Sequence, residues 1–219
     1  MESKYNMTQK ENIFLAKRNI VDYIWKSANL EGIGVTYPDT QAIYNGMAVS
    51  GYTIEDINAV NDLKNAWQFL LEHINDELNL KFIKKVHMLL GKFTIINAGM
   101  IRHEEVRIGG TEWIPELPDE KEVHCEIIKI VDSKISPLEK ALDMTLYIMR
   151  LQLFYDGNKR IAMLIGNKIM IENGQGIISI KQKDIKEFYK YLVSYYESNN
   201  KLELKQFLYD NCIDGMIFS

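Results

Sequence analysis

Proline stands at only four positions, Pro38, Pro115, Pro118 and Pro137, each beside turn or cap residues. The long stretches between them are free of the strongest helix breaker, and this predicts an all-α chain. From Ile13 through Ala16, Ile20, Tyr23, Ile24 and Ala28 the apolar positions step by three and four. That is the stripe of one amphipathic helix, expected to stop at Glu31-Gly32. Thr53 with Asp56 resembles a capping box and predicts a helix reaching about His73. Phe82, Val86, Leu89 and Leu90 mark another. Ser136-Pro137 with Glu139 supplies a cap, a first-turn proline and an early acid. The helix it opens is apolar on most sides, so it belongs in the middle of a bundle. Further helices are expected over Ile161 to Glu172, around Ile185 to Leu192 and around Leu202 to Leu208.

One segment breaks this pattern. Val106 and Ile108 alternate with Arg107, and Gly109-Gly110 supplies residues suited to a tight turn, so a lone β-hairpin is expected on the helical body. No fixed-period repeat and no low-complexity linker divides the chain. With 219 residues, 47% hydrophobic and 26% charged, it is long enough to bury roughly 70% of its unfolded surface. One domain over residues 1–219 is expected, which excludes a disordered or disulfide-stapled chain.

The charge balance narrows the function. Lys and Arg total 26 against 30 Asp and Glu, a net charge of −4 without the broad basic field of a nucleic-acid or membrane-surface binder. Neither nucleic acid nor membrane is expected as a partner. Cys125 and Cys212 are far apart and form no CxxC pair, which fits a reduced compartment without structural zinc. With no run of about 18 apolar residues and no signal-peptide pattern at the N-terminus, a cytoplasmic location is expected.

The residues that carry chemistry lie between the two most apolar helices, in Phe154-Tyr155-Asp156-Gly157-Asn158-Lys159-Arg160. Gly157 permits close backbone approach, and the first amides of the next helix lack intrahelical acceptors in a dipole field that favours anions. Lys159 and Arg160 add cationic heads, and Asp156 can ligate a hard cation such as Mg²⁺. Together they suit a metal-bound di- or triphosphate. The same residues also make an ordinary solvated turn, and composition alone leaves both readings open.

Phe-x-Asp-Gly-Asn-Lys-Arg after a helix resembles the core motif of the Fic family, His-Pro-Phe-x-(Asp/Glu)-Gly-Asn-(Gly/Lys)-Arg-x-x-Arg. Ser27-Ala28-Asn29-Leu30-Glu31-Gly32 is similar to the family's inhibitory motif, placed N-terminal to the core. Gly99 to Arg102 followed by Val106, Arg107, Ile108, Gly109 and Gly110 looks like its flap, which docks the target side chain. Three segments in the family's order are far more specific than the loop alone. The resemblance implies a Fic-fold helical bundle with a small β-hairpin flap. It divides the chain into an N-terminal region of residues 1–50 with the inhibitory helix, a core over about 80–175, and C-terminal helices over 176–219. It also implies ATP and Mg²⁺ as ligands and AMP transfer to a hydroxyl of a target protein. In those terms Asp156 binds the metal, while Gly157, Asn158, Lys159 and Arg160 bind nucleotide, Asn158 and Arg160 also counting with Asp156 in the catalytic set. Ser27, Glu31 and Gly32 inhibit, and Arg102 with Val106 to Gly110 meets the target.

Two departures stand against full activity. Gln152 occupies the position of the family's catalytic histidine, and Leu153 that of its proline. Glutamine has no basicity near neutral pH, and loss of a positioned base removes a factor of about 10² to 10⁴, roughly 3 to 5 kcal/mol of barrier. The family's second arginine falls at Met163, which deprives the terminal phosphate and Glu31 of a bidentate partner; Arg160 is the nearest replacement in sequence. The expectation is an ATP-binding, auto-inhibited protein with weak or no AMP transfer. The alternatives are a non-catalytic interaction module on the same fold, or a phosphotransferase like the death-on-curing branch, which the Asn-Lys-Arg form resembles.

His73, His87, His103 and His124 have no metal-pair spacing, and each reads as a surface or satisfied histidine. His103, beside Arg102 in the flap, is the one candidate for a substitute base. Trp113, Tyr155 and the run Tyr189, Tyr191, Tyr195, Tyr196 read as packing aromatics. The target protein stays open, and a C₂ homodimer is the default pairing.

Overall fold

The computed structural model describes residues 1–217. Thr8 and Glu11 form a capping box that opens α1 (Gln9–Arg18). The single helix expected over Ile13 to Ala28 is in fact two: Asn19, at φ −106° and ψ 16°, ends α1 and precedes α2 (Ile20–Leu30). Asparagine is a weak helix former, and the break falls there although its side chain makes no capping bond to α2. The apolar stripe continues through both helices, with Leu15, Ala16, Ile20, Tyr23, Ile24 and Ala28 all buried. α2 stops where expected, Glu31 capping it and Gly32 turning back at φ +82°.

A short helix not foreseen in the sequence, α3 (Tyr37–Tyr44), follows a Thr36 cap with Pro38 in its first turn. α4 (Ile54–Glu72) begins at the Thr53–Asp56 capping box and closes on His73. α5 (Leu80–Leu90) is capped by Asn79, and α6 (Glu120–Asp132), also unforeseen, by Asp119. α7 (Pro137–Leu151) starts at the Ser136 cap, and α8 (Asn158–Glu172) follows the motif loop. A 3₁₀ turn, Gln182–Asp184, leads into α9 (Ile185–Ser198), and α10 (Leu202–Asn211) completes the helices.

α7 and α8 make the most extensive helix pair, and α8 also touches α1, α4 and α5. Nearly every α8 residue is buried, including Asn158, Arg160, Asn167 and Lys168. Gly166 permits the close approach: a Cβ there would stand 2.0 Å from Thr145 Oγ1 of α7. Buried amides fasten the ends of this central helix. Asn167 Nδ2 donates to the Ile178 carbonyl at 2.9 Å and its Oδ1 accepts from the Ile178 amide at 2.6 Å. Asn12 exchanges the same pair of bonds with Gly176, at 3.2 and 2.7 Å, and so ties α1 to the turn after α8. Each of these polar groups would be costly to bury unpaired.

The expected hairpin over residues 106–115 is a correction. Among the described residues the strands are β1 (Ile177–Ile178) and β2 (Ile213–Asp214), antiparallel, with Ile177 opposite Asp214 and Ile178 opposite Ile213. Residues 106–115 carry a turn at Gly109-Gly110 without paired arms. Of the two glycines Gly110 has positive φ, at +87°, and Gly109 does not, whereas a two-residue hairpin turn needs positive φ at both positions (type I′) or at the first (type II′). Pro115 lacks an amide, and its carbonyl and that of Glu116 accept from the Arg102 guanidinium. A lone two-stranded ribbon has little to stabilise it.

Candidate functional site

α7 ends at Gln152, which takes the left-handed conformation at φ 48° and ψ 55° and sends the chain into the motif loop. Leu153 and Phe154 are fully buried, Asp156 is exposed, and Gly157, at φ +73°, starts α8. Asn158 closes the loop on itself. Its Oδ1 accepts from the Phe154 amide at 2.9 Å, and its Nδ2 donates to the Phe154 carbonyl at 2.7 Å and to Gln152 Oε1 at 3.1 Å. The loop is therefore braced by the motif's own asparagine.

Gln152 is held at both ends of its amide. Besides accepting from Asn158, it donates from Nε2 to the Met149 carbonyl at 2.6 Å and to the Tyr196 hydroxyl at 3.2 Å. Burial and then the Glu31 charge push the Tyr196 pKa up, so this hydroxyl stays protonated. Trp113 stacks on Tyr196, with ring centroids 5.3 Å apart, and the Arg150 guanidinium lies 4.4 Å above Trp113. The aromatics read as packing are therefore also the wall behind Gln152.

Three donors in the first turn of α8, the amides of Asn158, Lys159 and Arg160, have no acceptor among the described residues. Beside them Arg160 is buried, with Nη2 3.4 Å from Asp156 Oδ2 and Nε without a partner. Asp156 Oδ1 accepts from the Gly157 amide at 2.6 Å. Lys159 meets Glu31 at 3.2 Å, while one carboxylate oxygen of Glu31, Oε1, is buried without a hydrogen-bond partner. Burial, the largest single effect, pulls the Lys159 pKa down, but Glu31 and Tyr189 outweigh it and the net shift is upward. Lys159, and not Arg160, is thus the partner of Glu31. Ser27, Arg160 and Met163 line one narrow cavity between α2, α4 and α8.

The structure brings Gln152, Asp156, Gly157, Asn158, Lys159, Arg160 and Glu31 into one constellation. Arg102 belongs to its frame: only 2% exposed, it donates from Nε to the Gln152 carbonyl at 2.5 Å and from Nη1 to the Glu104 carbonyl at 3.0 Å. Its guanidinium offers no free face to a docking partner. Val106 and Ile108 are half-buried, while Arg107, Gly109 and Gly110 are exposed. The segment is moored to α9 by Thr111, whose Oγ1 donates to Glu197 at 3.1 Å. His103 is exposed and engages the Tyr155 hydroxyl at 3.1 Å.

Two buried side chains escaped the sequence reading as parts of the site. His87 is fully buried and stacks on Phe154 at 3.6 Å and 5°. Its Nδ1 accepts from the Gly99 amide at 2.8 Å, so its proton resides on Nε2, which donates to the Asp156 carbonyl at 2.9 Å. Burial pushes its pKa down to about 4, which keeps the ring neutral. Asp62 of α4 accepts from the Phe93 amide and the Thr94 hydroxyl, both at 3.0 Å, and burial raises its pKa. The signal for both was position: His87 shares the stripe of Ile83 and Leu90, and Asp62 that of Ala59 and Ala66.

Residues 77–170 match the Fic/DOC family model. Over 188 residues the chain is 27% identical to "Protein adenylyltransferase Fic" of Aedes aegypti, covering 80% of this chain and 37% of that protein. The chain spans a little over a third of the length of the curated relatives it matches. Its fold is similar to that of Fic-1 from C. elegans, with a TM-score of 0.71 at 24% identity, covering 89% of this chain and 60% of that one. It also resembles BepC from Bartonella tribocorum, solved with bound AMPPNP, with a TM-score of 0.55 at 14% identity over 83% of this chain and 90% of that one. By its mostly helical Fic fold and by the match of residues 77–170 to the Fic/DOC family model, this chain is similar to Fic/DOC family proteins and, distantly, to the protein adenylyltransferases.

Proposed function

We propose that this chain is an ATP-Mg²⁺-binding protein of adenylyltransferase descent, gated by Glu31, in which Gln152 makes AMP transfer slow or absent. The observation that carries the reading is the set of unpaired donors at the start of α8: three amides and the buried Nε of Arg160. Buried donors without acceptors are costly, and the phosphate oxygens of a nucleotide would complete them. The AMPPNP bound to BepC supports the same choice of ligand.

The residues also fit a magnesium ion. Asp156 is exposed, and Mg²⁺ in phosphate sites takes one or two carboxylates while keeping several waters. When bound, the ion neutralises phosphate charge. The chain's own groups do the rest: Asp156 ligates, the α8 amides with Lys159 and Arg160 orient the phosphates, and Glu31 competes for the Lys159 ammonium.

Transfer to a hydroxyl further requires a group that takes its proton. Gln152 cannot, since its amide is non-basic and both its ends are already hydrogen-bonded. This same satisfaction favours a second reading, a non-catalytic module that uses nucleotide binding as a signal.

Isothermal calorimetry with ATP and Mg²⁺ on the wild-type chain beside Glu31→Gly tests the proposal. Binding that appears or tightens in the variant supports a gated nucleotide site; silence in both proteins overturns it.

A further inference from the structure

We infer that His87 is the positioning residue of the phosphate-facing loop, a neutral imidazole whose two nitrogens pin Asp156 on one side and Gly99 on the other. The consequence for nucleotide rests on the function proposed above; the consequence for the loop does not.

His87 lies on α5, 69 residues before Asp156 in sequence, and meets the loop through three independent contacts. Its Nε2–H holds the Asp156 carbonyl at 2.9 Å, its face stacks on Phe154, and Gly157 presses so close that a Cβ there would stand 3.2 Å from Nε2. These three residues aim the Asp156 carboxylate and the first α8 amides. On the opposite side, Nδ1 accepts from the Gly99 amide at 2.8 Å. The turn between α5 and Gly99 is itself pinned by Asp62 at Phe93 and Thr94, and Ile95 of that turn packs over Gly157, 2.9 Å from where a Cβ would stand. The imidazole thus joins two backbone segments that cover the same glycine.

The residue type follows from this geometry. Both partners are backbone groups, one acceptor and one donor, on opposite sides of the side chain. A neutral imidazole offers a donor and an acceptor at separated ring positions, whereas Asn and Gln carry both on one terminal amide. Asparagine matches the reach of Nδ1 and glutamine that of Nε2, so the two substitutions separate the two contacts.

The test compares wild type, His87→Asn and His87→Gln. In the nucleotide-free proteins, amide hydrogen exchange at Phe154 and Gly157 reads loop order directly. His87→Asn is expected to speed exchange there at least tenfold and His87→Gln less than threefold, while exchange in α10 stays unchanged in both. With ATP-Mg²⁺, affinity is expected to fall at least tenfold in His87→Asn and less than threefold in His87→Gln. A long-range nitrogen–proton spectrum of the wild type is expected to show the Nε2-protonated tautomer. Equal effects of the two substitutions on exchange, no effect of either, or an Nδ1-protonated ring would overturn the inference. A wild type that binds no ATP-Mg²⁺ overturns the proposed function, and the exchange data then still decide the role of His87.

Discussion

The Lys159 ammonium stands 3.2 Å from a carboxylate oxygen of Glu31, joining the first turn of α8 to the C-terminal cap of α2. It also lies 5.6 Å over the ring of Tyr189, whose hydroxyl donates to the Leu30 carbonyl. A cation beside the open amides of α8 is therefore already engaged by the chain's own acid.

Removing that acid is expected to release Lys159. Glu31→Gln should tighten ATP-Mg²⁺ about tenfold, or about 1.4 kcal/mol, and the gain should vanish in a Lys159→Met background. With side chains only 25% and 14% exposed, the pair should show a coupling of about 1 kcal/mol in a double-mutant cycle of urea unfolding. A cycle that closes to zero would leave the contact without energetic weight.

Gln152→His restores a basic group at the end of α7. The backbone there is left-handed at φ 48°, a conformation histidine tolerates better than most residues, so the variant should fold. It gives up bonds to Asn158 and Tyr196 at a cost of about 1 kcal/mol. Combined with Glu31→Gly, it should raise transfer of labelled AMP at least tenfold. If the double variant stays silent, Met163 is the next position to change, to arginine.

Gly157→Ala should damage the loop itself. Positive φ costs an L-residue about 1–2 kcal/mol, and the new Cβ would stand 2.9 Å from Ile95 Cδ1 and 3.2 Å from His87 Nε2. Thermal unfolding should show a loss of about 1–3 kcal/mol. The ATP-Mg²⁺ affinity should fall with it, and an unchanged affinity would remove Gly157 from the site.

Stability toward acid should depend on Glu139, whose pKa Lys205 and the Met1 amine hold down at about 2, from an ordinary 4.5. Lys205 is almost wholly buried, 2.9 Å from Glu139 and 2.7 Å from Asp143. A depressed carboxyl stabilises above its unfolded pKa, because between the two values the unfolded chain binds more protons. That stability is present above about pH 4.5 and is lost as pH falls toward 2. Glu139→Gln should lower the melting temperature at pH 7 and flatten its fall below pH 5; an unchanged acid limb would count against the pair.

The helical body was legible wherever a local rule decided it. Thr53 with Asp56, Ser136 with Pro137 and the Glu31-Gly32 stop each settled a helix end through bonds within a few residues. Local rules also missed the short α3 and misjudged three longer segments. Asn19 cut one stripe into two helices, α6 lay unread behind Asp119, and Gly109-Gly110 looked like a hairpin while Arg102 took the Pro115 and Glu116 carbonyls.

The same division runs through the site. The order Asp156-Gly157-Asn158-Lys159-Arg160 by itself determined a helix start with open amides, because backbone amides at such a terminus have no intrahelical acceptor whatever surrounds them. It also determined that no imidazole stands at position 152. Which groups meet the loop from elsewhere was settled only by packing: Lys159 rather than Arg160 against Glu31, Tyr196 behind Gln152, His87 against Asp156, and Asp62 holding the turn whose Ile95 covers Gly157. Those partners lie on α2, α9, α5 and α4, and hydrogen bonds a few ångströms long between residues so distant in sequence exist only once the core has brought the helices together.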